Sequence, residues 1–553
     1  MAIIRSLCGQ CALGCGVRAI TGNDRDVLIE GDRMHPANGG RLCVRGQALG
    51  SSAALDGRLL HPMVEGRRVG WDRAIALAAR RLGAVLDRHG PGSVALHVSG
   101  SLLTEDYYVA NKMMKGFLGS SHIHTPWLNA AGLAQVQRTA FGEDVMPAAI
   151  EDIGRADTLL LLGTQTALDH PVLLERALAA REEKGLRLIL LTEADGPESF
   201  EADHRLQVNP GSLGQLLTGV LLHCRDAGAI DPHFSDQHLM LPADLWNDMA
   251  RGQDIWSVAR ACGLAAATIR AFFEDMAASN QLVTLFGDDI GAAAVAAALN
   301  LHLATGRIGR PGSTPFALAG GPNGMGGREV SCMAASLAAH RPFTGDNGAD
   351  VARFWGARAM ANEPGMDGAA LLDAMRDGRV KALWSIGGDA QATSWLREAR
   401  AAVPLAICSV DRPDGVEDFD IILPAAVWME KDGTATGSDR LISRQRRLFP
   451  LPGDARPDWW ILTKVAQAMG WGDAFHYERS ADIYREHARL TAYRNDGRWL
   501  LNLKRHAAIS NPAYDELTPW RWGEVPFDGG HFPTPDGRAR LLWPLDQNWA
   551  AIA

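Results

Sequence analysis

The sequence predicts an α/β protein, with a small cysteine-bearing N-terminal domain followed by doubly wound, Rossmann-like layers of strands and helices. Three observations carry this reading. Cys8, Cys11, Cys15 and Cys43 follow a Cys-x2-Cys-x3-Cys-x27-Cys pattern inside a glycine-studded, turn-rich opening of 58 residues. Short apolar runs such as 158–162 recur between turn residues, as strands buried on both faces do. Helical spacing alternates with those runs along most of the chain.

The opening stretch is a metal site by its chemistry. Three thiols within eight residues, on a loop supplied with Gly9, Gly14 and Gly16, can grip three corners of one inorganic cluster, and Cys43 can close the cage. Structural zinc is the competing reading, but zinc sites built from four cysteines usually end in a second Cys-x2-Cys pair, and none follows here. Cys224, Cys262, Cys332 and Cys408 are scattered and read as small buried hydrophobes.

Composition narrows the rest. A chain of 553 residues exceeds one core, and 47% hydrophobic with 22% charged residues is ordinary globular protein. A net charge of -9 argues against nucleic acid as a partner, because phosphate binding wants a basic face. No apolar run is long enough for a bilayer, and neither a secretory segment nor a twin arginine precedes the cysteines, so no membrane span and a cytoplasmic location are expected.

Taken in order, residues 1–58 form the cysteine domain. Residues 59–150 begin a first α/β domain, with a helix over 72–88, a strand over 94–98 and a helix over 107–118 ended by Gly119. Residues 151–345 form a second α/β domain. Its strands fall at 158–162, 186–191, around Val208 and at 283–286, and an alanine-rich helix runs over 292–305. Gly163, Thr164, His170 and Pro171 lie in the loop after the first of these strands, where doubly wound sheets bind ligands. The densest glycine stretch, Gly320 to Gly327, reads as a loop that lets backbone N–H groups approach an anionic or planar ligand. Residues 346–553 return to the first α/β domain, with strands at 380–386, 405–410 and 420–423, the loop at Gly387 and Gly388, and a mixed tail. His122 and His124 could share one strand face as a metal pair, though no third ligand supports them.

The chain resembles the prokaryotic assimilatory nitrate reductase catalytic subunit, of the molybdenum bis-molybdopterin-guanine-dinucleotide (bis-MGD) oxidoreductases. The resemblance rests on the cysteine pattern with Gly40-Arg41-Leu42-Cys43, Tyr107 to Lys112, His302 to Gly309, Asn323 to Val330, Leu423 to Ala426, Glu430 to Thr434 and Arg456 to Trp460. It implies the DMSO reductase-like fold, a [4Fe-4S] cluster on Cys8, Cys11, Cys15 and Cys43, and a Mo-bis-MGD cofactor at which nitrate becomes nitrite. Arg45, two places after the fourth cysteine, would lie between cluster and pterin. The loops at Gly163, Thr164, His170 and Pro171, at Gly320, Asn323, Met325, Gly326, Arg328 and Glu329, and at Gly387 and Gly388 would cradle the dinucleotides. Arg328 and Glu329 would stand on a loop over the active-site funnel, Arg328 drawing in the oxyanion. A ferredoxin, flavodoxin or NADH-dependent reductase subunit would donate electrons.

The chain also departs from that family's pattern. Where a cysteine ligates molybdenum in most nitrate reductases, residues 121–132 hold none, and Asn129 falls near the position. The pterin loops read Thr192-Glu193-Ala194, Asp169-His170-Pro171 and Gly387-Gly388-Asp389-Ala390, so that Glu193, Asp195 and Asp389 would add negative charge near pyrophosphates. The C-terminal barrel that covers both cofactors is expected to be missing, a separate chain supplying that lid. A second reading therefore stays open: a non-catalytic paralogue that keeps the cluster as an electron-transfer, scaffold or sensor subunit.

Overall fold

The computed structural model describes residues 2–22, 25–126, 132–193, 201–287, 290–318, 320–387 and 393–543. Ala2–Leu7, Gly16–Thr21 and Val27–Gly31 form an antiparallel meander. Its register sets Ile4, Ala19 and Ile29 opposite one another, and that face turns to the core. The connection between the first two strands is the Cys8–Cys15 loop, closed by the Cys8 N–H donating to the Cys15 carbonyl at 2.9 Å.

A seven-stranded sheet draws its strands from two distant stretches of chain. Val94–Val98 and Ile123–His124 come from the first; Ala382–Ile386, Leu405–Val410 and Ile421–Pro424 come from the second, all parallel. Met63–Val64 and Arg67–Arg68 extend the edge antiparallel. Between these stretches lies a five-stranded parallel sheet in the order His204–Gln207, Arg187–Thr192, Thr158–Leu162, Leu282–Phe286, Thr314–Ala317. The central strands are buried along their whole length, which is why their sequences run apolar rather than alternating. Each sheet reverses its winding once: beside Thr158–Leu162 in one, beside Val94–Val98 in the other. Ligands of open α/β sheets sit at the carboxyl ends of strands flanking such reversals.

The periodic elements lie where the sequence puts them. The first long helix is Trp71–His89, and its C-cap Gly90 has φ +80. Thr104–Asn111 continues into a π-helical turn, Lys112–Leu118, and stops at left-handed Gly119. The strand expected near Val208 is His204–Gln207.

One stretch differs from expectation: the loop expected over Gly320 to Gly327 is in part regular structure, since Gly324–Glu329 is a short helix. The polar segment after Trp428 folds as a fully buried hairpin, Gly433–Thr436 with Leu441–Gln445. Partners far away in sequence satisfy its polar groups. Thr434 bonds Glu105, Thr436 bonds Asn323 and Glu329, and Gln445 accepts from Ser6. Polarity in sequence reports exposure only when such partners are absent. No helix among the described residues is long and apolar enough to cross a membrane.

Candidate cluster and cofactor site

The cysteine loop is held from three directions. Trp428 lies flat against Gly9, where a Cβ would stand 2.6 Å from the indole Cγ, and its Nε1 donates to the Leu7 carbonyl at 3.0 Å. Gly14, at φ +68, leaves room for the backbone of Gly437. Ser438 N–H donates to the Ala12 carbonyl at 2.9 Å. Cys43 is the N-cap of the short helix Val44–Gln47, and a Cβ on Gly46 of that helix would stand 3.5 Å from Cys8 Sγ. Glycine there lets the helix sit directly on the thiol.

The structure gathers all four cysteines as free thiols close enough to affect one another's ionisation. Burial, reinforced by the neighbouring Cys11 and Cys43, pushes the Cys8 thiol up to about 12. Cys11 and Cys15 are raised in the same way, burial first. Four neighbouring thiolates, Cys8 and Cys15 buried and Cys11 and Cys43 half-buried, are untenable without a cation to neutralise them, which is the donor set an iron–sulfur cluster satisfies. Among the described residues no three His, Cys, Asp or Glu side chains converge on a single-ion site.

Arg45 connects this loop to the five-stranded sheet. Its Nη2 donates to the Asp169 carbonyl, and its Nη1 lies 3.9 Å from the Asp169 carboxylate. The same guanidinium opposes the upward shift of Cys8 and Cys11. Asp169 ends the helix Thr164–Asp169, which begins directly after Gly163 at the carboxyl end of Thr158–Leu162. Gly163 takes φ +83 to make that turn. Pro171 is the first residue of the next helix, Pro171–Lys184, where its missing N–H costs nothing. Between the two helices sits buried His170. Its Nδ1 donates to the Thr166 carbonyl at 2.9 Å, while Nε2 is buried with no partner among the described residues. Burial lowers its pKa and Nδ1 is committed to Thr166, which leaves Nε2 a bare acceptor.

The remaining candidate cofactor loops meet at the other winding reversal. Ser99 follows strand Val94–Val98 and Gly387 follows Ala382–Ile386; a Cβ on Gly387 would stand 2.6 Å from that of Ser99. Gly320 and Gly321 arrive from the five-stranded sheet, and a Cβ on Gly321 would overlap the Gly100 carbonyl. Nearby, just past the carboxyl end of the short strand Ile123–His124, the Thr125 hydroxyl is buried with no partner among the described residues. An orphaned hydroxyl and glycine-only approaches at a sheet's carboxyl edge fit a large polar ligand such as a pterin dinucleotide.

Other residues singled out from sequence serve as internal braces. Asn323 Nδ2 donates to the Leu102 carbonyl at 3.0 Å and to Thr104 Oγ1 at 3.2 Å, and its Oδ1 accepts from Thr436 N–H at 2.7 Å. Gly326 is required because a Cβ would enter that Asn323–Thr104 contact. Met325 is core. Glu329 accepts from Trp522 Nε1 and Thr436 Oγ1, and burial pushes its carboxyl up to about 7.

Arg328 corrects its expectation most clearly. It stands on the helix Gly324–Glu329, fully buried rather than on a loop open to solvent, and it pairs with Asp144 and Gln137. Its charge is committed inside the protein. Glu193 Oε1 accepts from Leu213 N–H at 2.9 Å, so its charge caps the helix Leu213–Asp226. His122 Nδ1 accepts from Met366 N–H and His124 pairs with Asp367, which separates the two histidines. The side chain of Thr164, and the positions Gly388, Asn129, Asp195 and Asp389, lie outside the described residues. Sequence reasoning passed over Asp144 and Gln137, and it placed Asp169 in a loop without its partner Arg45. No motif marks the first two, and only their approach to Arg328 in space gives them a role.

Comparison with known proteins agrees with this geometry. The family described as "Molybdopterin oxidoreductase" matches residues 58–468, and "Molybdopterin oxidoreductase Fe4S4 domain" matches residues 1–54. The chain is 40% identical to a nitrate reductase of Klebsiella oxytoca, over 99% of this chain and 62% of that protein. It is 33% identical to a nitrate reductase of Shewanella frigidimarina, over 98% and 62%. The chain thus spans 62% of the length of these two relatives. Among solved structures, the acetylene hydratase of Pelobacter acetylenicus superposes with a TM-score of 0.76 at 17% identity, covering 97% of this chain and 77% of that one, a likeness of fold. The two family matches support a [4Fe-4S] cluster and a molybdenum–molybdopterin cofactor. From its N-terminal thiols to the strand ends behind them, the chain belongs to the molybdopterin oxidoreductase family.

Proposed function

We propose that this chain is the cluster- and pterin-binding part of an oxidoreductase that reduces nitrate, or a related small oxyanion, by two electrons. Nitrate takes up two electrons and two protons and leaves as nitrite and water. The molybdenum pterin, when bound, supplies the oxygen-atom transfer. Cys8, Cys11, Cys15 and Cys43 would hold the cluster. Gly163, His170, Gly320 and Gly387 would line the pterin site, and His170 Nε2 would accept a hydrogen bond there.

One observation carries the reading: Arg45 runs from the helix capped by Cys43 to Asp169, at the end of the helix that leaves strand Thr158–Leu162. A fixed cation between two redox sites stabilises the more negative, reduced state of each. The division at residues 58, 150 and 345 belongs to the same proposal. It is supported by the way the seven-stranded sheet takes strands from either side of the five-stranded one. The electron donor would be a ferredoxin, a flavodoxin or an NADH-dependent reductase subunit acting in the cytoplasm.

The test is metal and cofactor analysis of protein purified without oxygen, followed by nitrate reduction with reduced viologen. Iron, molybdenum and guanine nucleotide together with nitrite formation support the proposal. Iron alone, with no nitrite, replaces it with an electron-transfer or scaffold subunit, and zinc alone removes both.

A further inference from the structure

A cavity of about 1020 Å³ opens beside helix Leu133–Phe141. Gln135, Arg138 and Thr139 of that helix line it, with Ala335 and Phe343 from a later stretch and Trp543 near the end of the described chain. Arg138 is the anomaly. Its Nε is buried, and no hydrogen bond or ion pair to its guanidinium occurs among the described residues. The carboxylates close enough to influence it are already engaged. Asp144 is held by Arg328. Glu143 accepts from His340 Nδ1 at 2.9 Å and from the N–H groups of Leu500 and Leu501 at 2.6 and 3.0 Å.

The local charge is unbalanced. Arg138 has two basic neighbours, Lys115 and Arg328, against the two acids Glu143 and Asp144, and His340 also faces Asp144. Lys115 Nζ is turned away onto the carbonyls of Ser331, Met333 and Ser336. Burial, with Arg328 adding to it, disfavours the charged form of Arg138 against the pull of Asp144 and Glu143. Arg138 is half-buried, with its Nε shut away from water without a partner; leaving that N–H unmet is costly, and an anion arriving on it recovers that cost.

We propose that Arg138 is the anion-binding residue of this cavity, seating a planar, singly charged oxyanion of the nitrate type on its guanidinium fork. The proposal deepens the nitrate reading above and rests on it. A planar fork matches a planar trigonal anion through paired N–H bonds. The cavity also carries Asp244, Asp248 and Glu363. Among the described residues only Asp248 of these acids has a cation partner, Arg251 at 3.0 Å, and the cavity's second arginine, Arg540, is held by Asp536 at 3.0 Å. Those carboxylates repel sulfate and phosphate dianions more strongly than nitrate. Arg138 therefore replaces Arg328 as the residue that meets the oxyanion, because Arg328 is neutralised by Asp144.

The experiment is calorimetric titration of nitrate into the full chain in chloride-free buffer, for wild type, R138Q, R138K and A335F. Wild type binds nitrate and sulfate fails to displace it. R138Q weakens nitrate at least tenfold, R138K less, and A335F, which fills the cavity without altering charge, blocks binding while cluster absorption and melting temperature stay at wild-type values. Nitrate affinity unchanged in R138Q, or equal competition by sulfate, overturns the proposal. Should R138Q fail to fold, R138K and A335F decide: unchanged affinity in both overturns it. Viologen-driven turnover of the loaded enzyme separates the two readings. Binding lost in R138Q with no turnover in wild type sinks the nitrate reductase reading alone. Turnover with an unaltered KM in R138Q sinks the Arg138 assignment alone.

Discussion

Replacing Asp144 by alanine isolates the Arg328 guanidinium in the interior, and the expected result is a large loss of stability. Both side chains of the pair are wholly buried. Burial pushes the Asp144 carboxyl up, but the Arg328 guanidinium outweighs it and holds the group below its ordinary value, so the pair is ionised at neutral pH. Removing one member of such a pair typically costs about 3–5 kcal/mol, because the other charge is left without compensation. Gln137 Oε1, the remaining partner, accepts a single bond from Arg328 and cannot replace a carboxylate. D144A should therefore unfold at markedly lower denaturant concentration than wild type. The double variant D144L/R328M, which removes both charges at similar volume, should recover most of the loss. Chemical unfolding followed by tryptophan fluorescence reads both. The reasoning is refuted if R328M alone leaves stability at the wild-type value while nitrate affinity collapses, because Arg328 would then be a ligand of the oxyanion rather than a brace.

The remaining predictions concern the loops around the two cofactors. Serine at Cys43 should bleach the broad visible absorption of the anaerobically purified protein, and a spectrum unchanged by the substitution would remove Cys43 from the cluster. Methionine at Arg45 takes a positive charge from beside the thiols, so the cluster potential measured by redox titration should fall; a rise contradicts the placement. Alanine at Gly321 drives a Cβ into the Gly100 carbonyl, and guanine nucleotide content should drop while iron content holds. Glu329 is raised to about 7 by burial, so its folded form holds a proton that the unfolded chain releases above its ordinary carboxyl value. Its stability contribution is complete at low pH and is lost as pH rises toward and through 7, by on the order of 3 kcal/mol. E329Q, which removes the titration, should flatten the pH dependence of the melting temperature between pH 5 and 8, and a variant as pH-sensitive as wild type refutes it.

Much of this architecture could be read from the chain. The largely apolar runs at Thr158–Leu162 and Leu405–Val410, set between turn residues, read as strands covered on both faces, and Gly119, Gly163 and Gly387 mark where the backbone must turn with positive φ. The thiol pattern was equally legible, since its meaning depends on local spacing. The stretches from Gly320 to Glu329 and from Gly433 to Gln445 were harder. Glycine reads as loop and Thr, Ser and Arg read as surface, until Thr104, Glu105 and Asn323 arrive to satisfy them. For the same reason Arg328 passed as a substrate residue: its partner Asp144 is separated from it by 184 positions. Side chains whose purpose is set by a distant neighbour carry no local signature.

The hairpin that carries three of the four thiols is finished by chain made very late. Ser6 donates to Gln445 Oε1 across 439 positions, and Trp428 and Ser438 support the same loop. At a synthesis rate of roughly 5–20 residues per second, about 20–90 s separate the emergence of the first cysteine from that of the segment that encloses it. Throughout that interval the sulfurs are open to oxidation and to whatever machinery delivers iron. Metallation must either wait for that late segment or proceed on a nascent chain that still lacks its cradle.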